Sequence, residues 1–450
     1  MKKAAVAALL LAAVLLTAGG MAKSGNTVSA KDQNGEAAED AEAERISQID
    51  TSVPVTAGSR IAVVSKNVKG EFWDMVHSGM NSAVKDLNTA FGLKGDDQIK
   101  MTFEGPDDEQ NVEEQVNTLD AVIAENPAVL CLSASDMDSC QAQIETSNEN
   151  GIPVIVFDSN VSDSEMVSAF RGTDNEKVGE LGAQKMAEAL GETGKVVVFA
   201  AQEKTESAQK RVNTFATALG EYPDMELCEV IYMDQVDDMS AAMAETLEKI
   251  PDLDGVFCTN AEVADLYLDV KKDEEHQPVM IGVDATTSQQ AAVKDGREYG
   301  IVSQDPYEMG YQTILAASET LKQPEVETDV EETDAESSGS GENGVNEDDA
   351  EALGSGEGGV EEDDAEAFDS GEDGVKEDDA EKVSSEEDGA ETADTDEELS
   401  DGSEDADEIP EDTPIAEVPK PAEKISLLEP AWIDADNLDN PANSNYIYKK

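Results

Sequence analysis

Histidine is nearly missing from this 450-residue chain, which has two, and basic residues are scarce, with 30 Lys and Arg against 103 Asp and Glu. The resulting formal net charge of −73 repels nucleic-acid phosphates and anionic lipid, which excludes DNA, RNA and polybasic membrane docking. Cations or basic surfaces are the partners such a charge permits. The deficit is steepest between Glu325 and Pro419, where Lys376 and Lys382 are the only basic residues. Neither His77 nor His276 stands beside a serine or cysteine at a strand end, so no nucleophile-and-base arrangement is readable and no enzyme activity or cofactor is expected. His77 falls mid-helix, where a surface or packing role is expected. The segment GETGK at Gly191–Lys195 lacks the spacing of a phosphate loop and precedes a strand.

Cysteine is also sparse. Cys131, Cys140, Cys228 and Cys258 lack the close pairs of a zinc site, and no metal site is expected. Buried thiols acting as small hydrophobes are favoured over a disulfide, for which Cys131 with Cys140 is the one locally plausible pair. Long apolar runs are missing too. Met1–Leu16 places Lys2 and Lys3 before an Ala, Val and Leu run that is shorter than the about 20 residues of a membrane span. That layout reads as a secretory signal over residues 1–20, cleaved after Gly20 or Ala22, with an uncleaved anchor as the alternative. Leu16-Thr17-Ala18-Gly19 looks like the start of a lipoprotein signal, but Gly20 stands where the lipidated cysteine is required.

What is present is an alternation. Residues 21–58 are rich in Ala, Glu, Asp, Ser and Gly and are expected to be a flexible tether. From Arg60 onward, short apolar runs alternate with helical periods. The runs are Ile61–Val64, Ala128–Leu132, Pro153–Phe157, Val196–Ala200, Gly255–Thr259 and Pro278–Val283. Helical spacing occupies Phe72–Leu87, Asn111–Asn126, Lys177–Glu192 and Met309–Gln323. The pattern predicts βα units around parallel sheets, and their number suits two lobes better than one sheet. Loops leaving the carboxyl ends of such strands hold ligands, which makes the polar loop after Val64 and its Phe72-Trp73 pair the first site candidates, and polar residues stand at the other strand ends, Asp158-Ser159-Asn160, Asn260, Asp284 and Gln304. Asp174-Asn175 reads as a helix cap.

The segments SKNVKGEFW, NGIPVIVFDSN, RGTDNEKVGELGA, SAQKRVNTF, GVFCTNAEVADL, VMIGVDATTSQQAAVKDG and IVSQDPYEMGYQ occur in that order between Ile61 and Gln304 or just beyond. Through them the chain resembles the type 1 periplasmic binding proteins, particularly the ribose- and galactose-binding group that delivers sugars to ABC importers. The resemblance implies an α/β fold of two Rossmann-like lobes with a ligand cleft between them. The first lobe would be residues 59–173 with 305–322, and the second 174–304 with 424–450. It further implies ligand contacts from Ser65, Phe72, Trp73, Asp158, Asn260, Asp284 and Gln304. Ionised carboxylates are acceptor-only and suit hydroxyl donors, while flat aromatic faces suit the C–H faces of a sugar ring. Ser159 and Gln209 are matched to positions where the ribose binders carry arginines, Arg211 being offset, and Gly70 replaces an amide or carboxylate. Without those guanidinium forks the stereochemistry of the sugar is set differently.

Residues 325–423 form an acidic low-complexity insertion, in which GENGVNEDDAEA, GEGGVEEDDAEA and GEDGVKEDDAEK begin at Gly341, Gly356 and Gly371, a repeat of 15 residues. Each unit offers one aliphatic residue, Val345, Val360 or Val375, too little to offset the entropy of ordering, so disorder is expected. DADNLDN from Asp434 alternates oxygen ligands but lacks the glycine of a calcium loop. The expectation is an exported monomer that captures a monosaccharide or sugar derivative for an ABC transporter permease, reaching the membrane only through that partner. Two alternatives stand beside it: a sugar sensor partnering a receptor kinase, and a surface interaction protein working through its acidic repeats. A repressor is excluded by the signal peptide and the missing basic helix-turn-helix.

Overall fold

Continuously apolar strands can be buried on both faces, and two parallel sheets use them so. The computed structural model describes residues 40–271, 277–322, 421 and 423–448. All fall in one compact unit made of Met1–Val326 and Ile415–Lys450. The signal segment, the first part of the tether, His276 and the acidic repeats lie outside the described residues.

The first sheet has the order β11-β5-β4-β3-β1-β2, with β1 Arg60–Val64, β2 Lys100–Glu104, β3 Val129–Leu132, β4 Val154–Phe157, β5 Ala169–Thr173 and β11 Ile425–Leu428. All its pairings are parallel. Alternate residues of β1, β3 and β4 face opposite cores. Ile61, Val63, Cys131 and Phe157 meet the helices α2 (Glu71–Ala90) and α10 (Pro306–Thr320), while Ala62, Val64, Leu132 and Val156 meet α3 (Val112–Ala124) and α4 (Gln141–Glu149). Helices α2 and α10 cross with backbones nearly touching. A Cβ on Gly79 would lie 2.0 Å from the Tyr307 carbonyl oxygen, and one on Gly310 would lie 2.2 Å from that of Val76. Only glycine fits at either place.

The second sheet repeats the plan as β12-β10-β9-β8-β6-β7, with β6 Thr193–Ala200, β7 Asp224–Tyr232, β8 Gly255–Cys258, β9 Val279–Val283, β10 Gly300–Ser303 and β12 Ala431–Ile433. Its β10–β12 pairing is antiparallel. It is flanked by α5 (Asn175–Leu190) and α6 (Glu206–Leu219) on one face and by α7 (Met239–Lys249) and α8 (Ala261–Val270) on the other, with α9 (Thr287–Asp295) beyond. As expected from its sequence, Asp174 caps α5, accepting the Lys177 amide. His77 lies in α2, stacked on Phe103 with ring centres 4.4 Å apart. All four cysteines are free, three of them buried.

Three chain segments cross between lobes: β5 to α5, β10 to α10, and β11 to β12. They are stitched together, because Thr173 Oγ1 donates to Gln304 Oε1 at 2.8 Å and the Asp174 amide donates to the Leu428 carbonyl at 2.9 Å.

Two boundary expectations need correction. Residues 424–450 do not all belong to the second lobe: β11 extends the first sheet beside β5, and only β12 joins the second. Nor is the tether flexible throughout. Residues 40–48 form helix α1, in which Glu42 pairs with Lys85 and Arg45 with Asp86, and Val55 bridges to Lys322. This strap is held by ion pairs and a few apolar contacts rather than by an amphipathic stripe, so apolar periodicity does not reveal it. DADNLDN folds as a turn, with Asp434 Oδ1 accepting the Asp436 and Asn437 amides.

Candidate functional site

In each sheet the strand order reverses between the first and third strands of the lobe, at β1/β3 and at β6/β8. In open α/β sheets the crevice outside such a switch point is where ligands bind. The two crevices face a shared cavity of about 430 Å³. Gln115 braces the first switch point, its Nε2 donating to the carbonyls of Ser65 and Ser133, each at 2.9 Å.

The wall from the first lobe consists of Lys66 after β1, Phe72 and Trp73 at the start of α2, Glu109 before α3, and Asp158 after β4. Lys66 Nζ lies 2.7 Å from Asp158 Oδ2, and the same oxygen accepts from Ser133 Oγ at 3.1 Å. Phe72 and Trp73 meet edge to face with ring centres 5.1 Å apart. Trp73 Nε1 donates to Glu109 Oε1 at 2.8 Å. Burial pushes the Glu109 carboxyl above the usual range, against the pull of Lys66 and the indole N–H.

The second lobe contributes Gln202 after β6, Arg211 from α6, Thr259 and Asn260 after β8, Glu262 at the start of α8, and Asp284 after β9. Asp284 Oδ2 accepts the Ala261 amide at 2.7 Å, while Oδ1 accepts from Gln304 Nε2 at 2.6 Å and Tyr448 Oη at 2.8 Å. Arg211 is fixed by Asn175 Oδ1 at 2.7 Å and the Thr259 carbonyl at 2.8 Å. Asn260 caps α8, accepting the Val263 amide at 3.0 Å. Glu262 keeps solvent contact at the cavity mouth, yet the walls strip enough water to push its carboxyl up to about 7, with Glu109 and Asp108 adding like-charge repulsion.

Both strand-end aspartates hold left-handed backbone, with φ of 59° at Asp158 and 79° at Asp284. This conformation is uncommon for residues other than glycine and concentrates at functional sites.

Of the residues singled out in the sequence, Phe72, Trp73, Asp158, Asn260, Asp284 and Gln304 meet at the cavity. Four do not line it, among them Asn160, whose Oδ1 accepts the Val161 amide at 3.0 Å. Ser65 turns its hydroxyl back to the Asn67 carbonyl at 2.8 Å. Ser159 is buried and accepts the Ser207 amide at 3.4 Å, a link between lobes. Gln209 donates to the Glu203 carbonyl at 2.8 Å, off the buried face of α6. The arginine at the cavity is Arg211. Ala208, Arg211, Val212 and Phe215 share the buried face at three-and-four spacing, and Gln209 does not. Lys66, Glu109, Gln202 and Glu262 were not singled out; Gln202 and Glu262 were accessible in principle, since both sit at strand-to-helix turns.

The family described as periplasmic binding protein domain matches residues 61–325. The ribose import binding protein of Escherichia coli (strain K12) is 25% identical over 282 residues, covering 61% of this chain and 93% of that protein. A solute-binding protein of an ABC transporter from Agrobacterium vitis, solved with D-fucose, is 27% identical, with a TM-score of 0.54 over 58% of this chain and 89% of its own. Another from the same organism, solved with α-D-tagatopyranose, is 18% identical and shares the fold, with a TM-score of 0.61 over 87% of this chain and 100% of its own.

Proposed function

The chain belongs to the periplasmic binding protein domain family, and on that premise we propose that it is an exported solute-binding protein that captures a monosaccharide or sugar derivative and presents it to an ABC importer. The observation that carries the reading is the cavity itself. An aromatic pair on one wall faces carboxylates and amides from both lobes at paired switch points. Rings of that kind bury C–H faces, and the acceptors take hydroxyl protons.

The proteins named above support the class of ligand: ribose for one, D-fucose and α-D-tagatopyranose for the others. In this chain, Phe72 and Trp73 stack on the ring and Asp158 accepts hydroxyl donors beside Lys66. Asn260 and Arg211 reach the ligand from the second lobe. Asp284 and Gln304 hold much of their capacity in each other, so they shape the hinge side of the cavity and leave one lone pair of Asp284 Oδ2 for the ligand. Ligand contacting both walls favours closure, because only the closed form makes both sets of contacts. The transport step belongs to the permease; the binding protein itself does no catalysis and acts as a monomer.

Protein lacking residues 325–423 tests the reading. It is expected to show a melting shift with at least one pentose or hexose. No shift across pentoses, hexoses, amino sugars and uronates overturns it.

A further inference from the structure

The cavity is lined by six carboxylates against three cationic side chains, so it carries a net negative charge. Two of the cations are already paired, Lys66 with Asp158 and Lys69 with Asp107, while Arg211 is positioned by neutral groups, Asn175 and the Thr259 carbonyl. Of the six carboxylates, Asp158 is paired with Lys66, and Glu71, Asp265 and Asp284 accept hydrogen bonds from neighbouring hydroxyls or amides; the remaining two are Glu109 and Glu262. Glu109, from the first lobe, receives one hydrogen bond, from the Trp73 indole. Among the described residues no hydrogen bond or ion pair reaches Glu262, which enters from the second lobe. The amides at the start of α8 do not compensate it, since Asp284 takes that of Ala261 and Asn260 takes that of Val263.

An independent observation lies deeper in the same cavity. Gln202 is 3% exposed and its Oε1 is buried with no donor, while its Nε2 meets only the thioether of Met233 at 4.0 Å. A buried acceptor left without a proton costs free energy that a bound donor recovers. It stands at the β6 end, at the switch point of the second lobe.

We propose that the cavity takes a protonated amino sugar, its ammonium group seated between Glu109 and Glu262 and another of its donors placed on Gln202 Oε1. The inference rests on the sugar-binding reading above and narrows its ligand class. An ammonium group offers three donors and no acceptor, and its charge beside Glu109 and Glu262 favours their ionised, acceptor-only forms. It also cancels the repulsion between like charges carried by opposite lobes, so binding and closure favour each other. Uronates and sugar phosphates bring a further negative charge into a cavity whose carboxylates outnumber its cations.

Isothermal titration of the full chain separates the two levels. The probes are D-glucosamine, D-galactosamine and D-mannosamine, each beside its neutral parent hexose and its N-acetyl derivative, with D-glucuronate as the anion. At least one amine is expected to bind about tenfold or more tightly than its parent, with glucuronate silent. In Glu262→Gln the ratio of amine to parent affinity falls toward one. Parents or N-acetyl derivatives binding as tightly as the amines, or a binding uronate, overturns the inference while leaving the sugar reading standing. Silence from every compound overturns the inference, and silence that extends to the pentoses overturns both.

Discussion

Lys66 Nζ and Asp158 Oδ2 lie 2.7 Å apart with 6% and 5% of their side chains exposed, an ion pair sealed into the wall of the cavity. The partners stand at the ends of β1 and β4, with β3 between them, and Ser133 at the end of β3 donates to the same carboxylate oxygen. The pair therefore ties three strand ends together. Removing one partner leaves a buried charge uncompensated, so Lys66→Met is expected to cost about 3–5 kcal/mol in urea unfolding. Adding Asp158→Asn is expected to restore most of that loss. A single variant within about 0.5 kcal/mol of the wild type contradicts the pairing.

Tyr448 makes a second tie, near the end of the chain. Its ring packs on Phe72 of the first lobe at 6.1 Å between centres, and its hydroxyl donates to Asp284 of the second. Burial, with Asp284 adding to it, holds the phenol well above its ordinary pKa, so it remains a donor. Tyr448→Phe keeps the ring and loses a hydrogen bond to a charged acceptor, an expected loss of about 1.5–3 kcal/mol in urea unfolding. Tyr448→Ala also opens a cavity and is expected to lose more, about 3–5 kcal/mol. Equal losses from the two variants contradict the role given to the hydroxyl.

How much of this was legible in the sequence depended on burial. β1, β3, β4, β8 and β9 are covered on both faces and read as unbroken apolar runs. β2 and β7 are edge strands, half exposed, and their sequences KMTFE and DMELCEVIY carry charges that hide them from a search for apolar runs. The cavity showed the same split. Aspartates at strand ends are visible because the fold puts strand ends at the ligand. Lys66 was not, because its role depends on Asp158 lying two strands away in the sheet. Arg211 was misjudged by two residues on a helix whose buried face decides the question. Nothing in the sequence connects Tyr448 to Asp284, which are 164 residues apart.

Asp305 predicts a pH effect. It caps α10 through the Glu308 amide at 2.9 Å, and burial pushes its carboxyl up to about 6 from 3.8. Below the lower value the group is protonated in both the folded and unfolded chains and contributes nothing. Between the two values the unfolded chain ionises first, so stability falls as pH rises, by at most about 3 kcal/mol, and the penalty is constant above. Asp305→Asn keeps a capping oxygen and lacks this slope. Its stability relative to the wild type is therefore expected to rise between about pH 4 and pH 6 in urea unfolding. A difference that does not change with pH contradicts the assignment.

The thiols give a compact check on the core. Cys131, Cys140 and Cys258 are buried, and burial pushes Cys140 up to about 12. Cys228 is half-buried in β7. Alkylation of the native protein is expected to label Cys228 first and the other three only after denaturation, with no change on prior reduction. Rapid native labelling of Cys131 contradicts the burial of β3, and labelling that requires a reductant contradicts the free thiols.

A sugar held in the cavity lies against Trp73. The chain has two tryptophans, Trp73 and Trp432, so Trp432→Phe leaves one indole, at the cavity. Titration of this variant with pentoses, hexoses and hexosamines, followed by tryptophan emission, is the most direct measurement. A saturable change with at least one of these sugars is the result the account predicts. Unchanged emission with all of them, in protein that melts cooperatively and from which denaturation releases no sugar detectable by mass spectrometry, would contradict it.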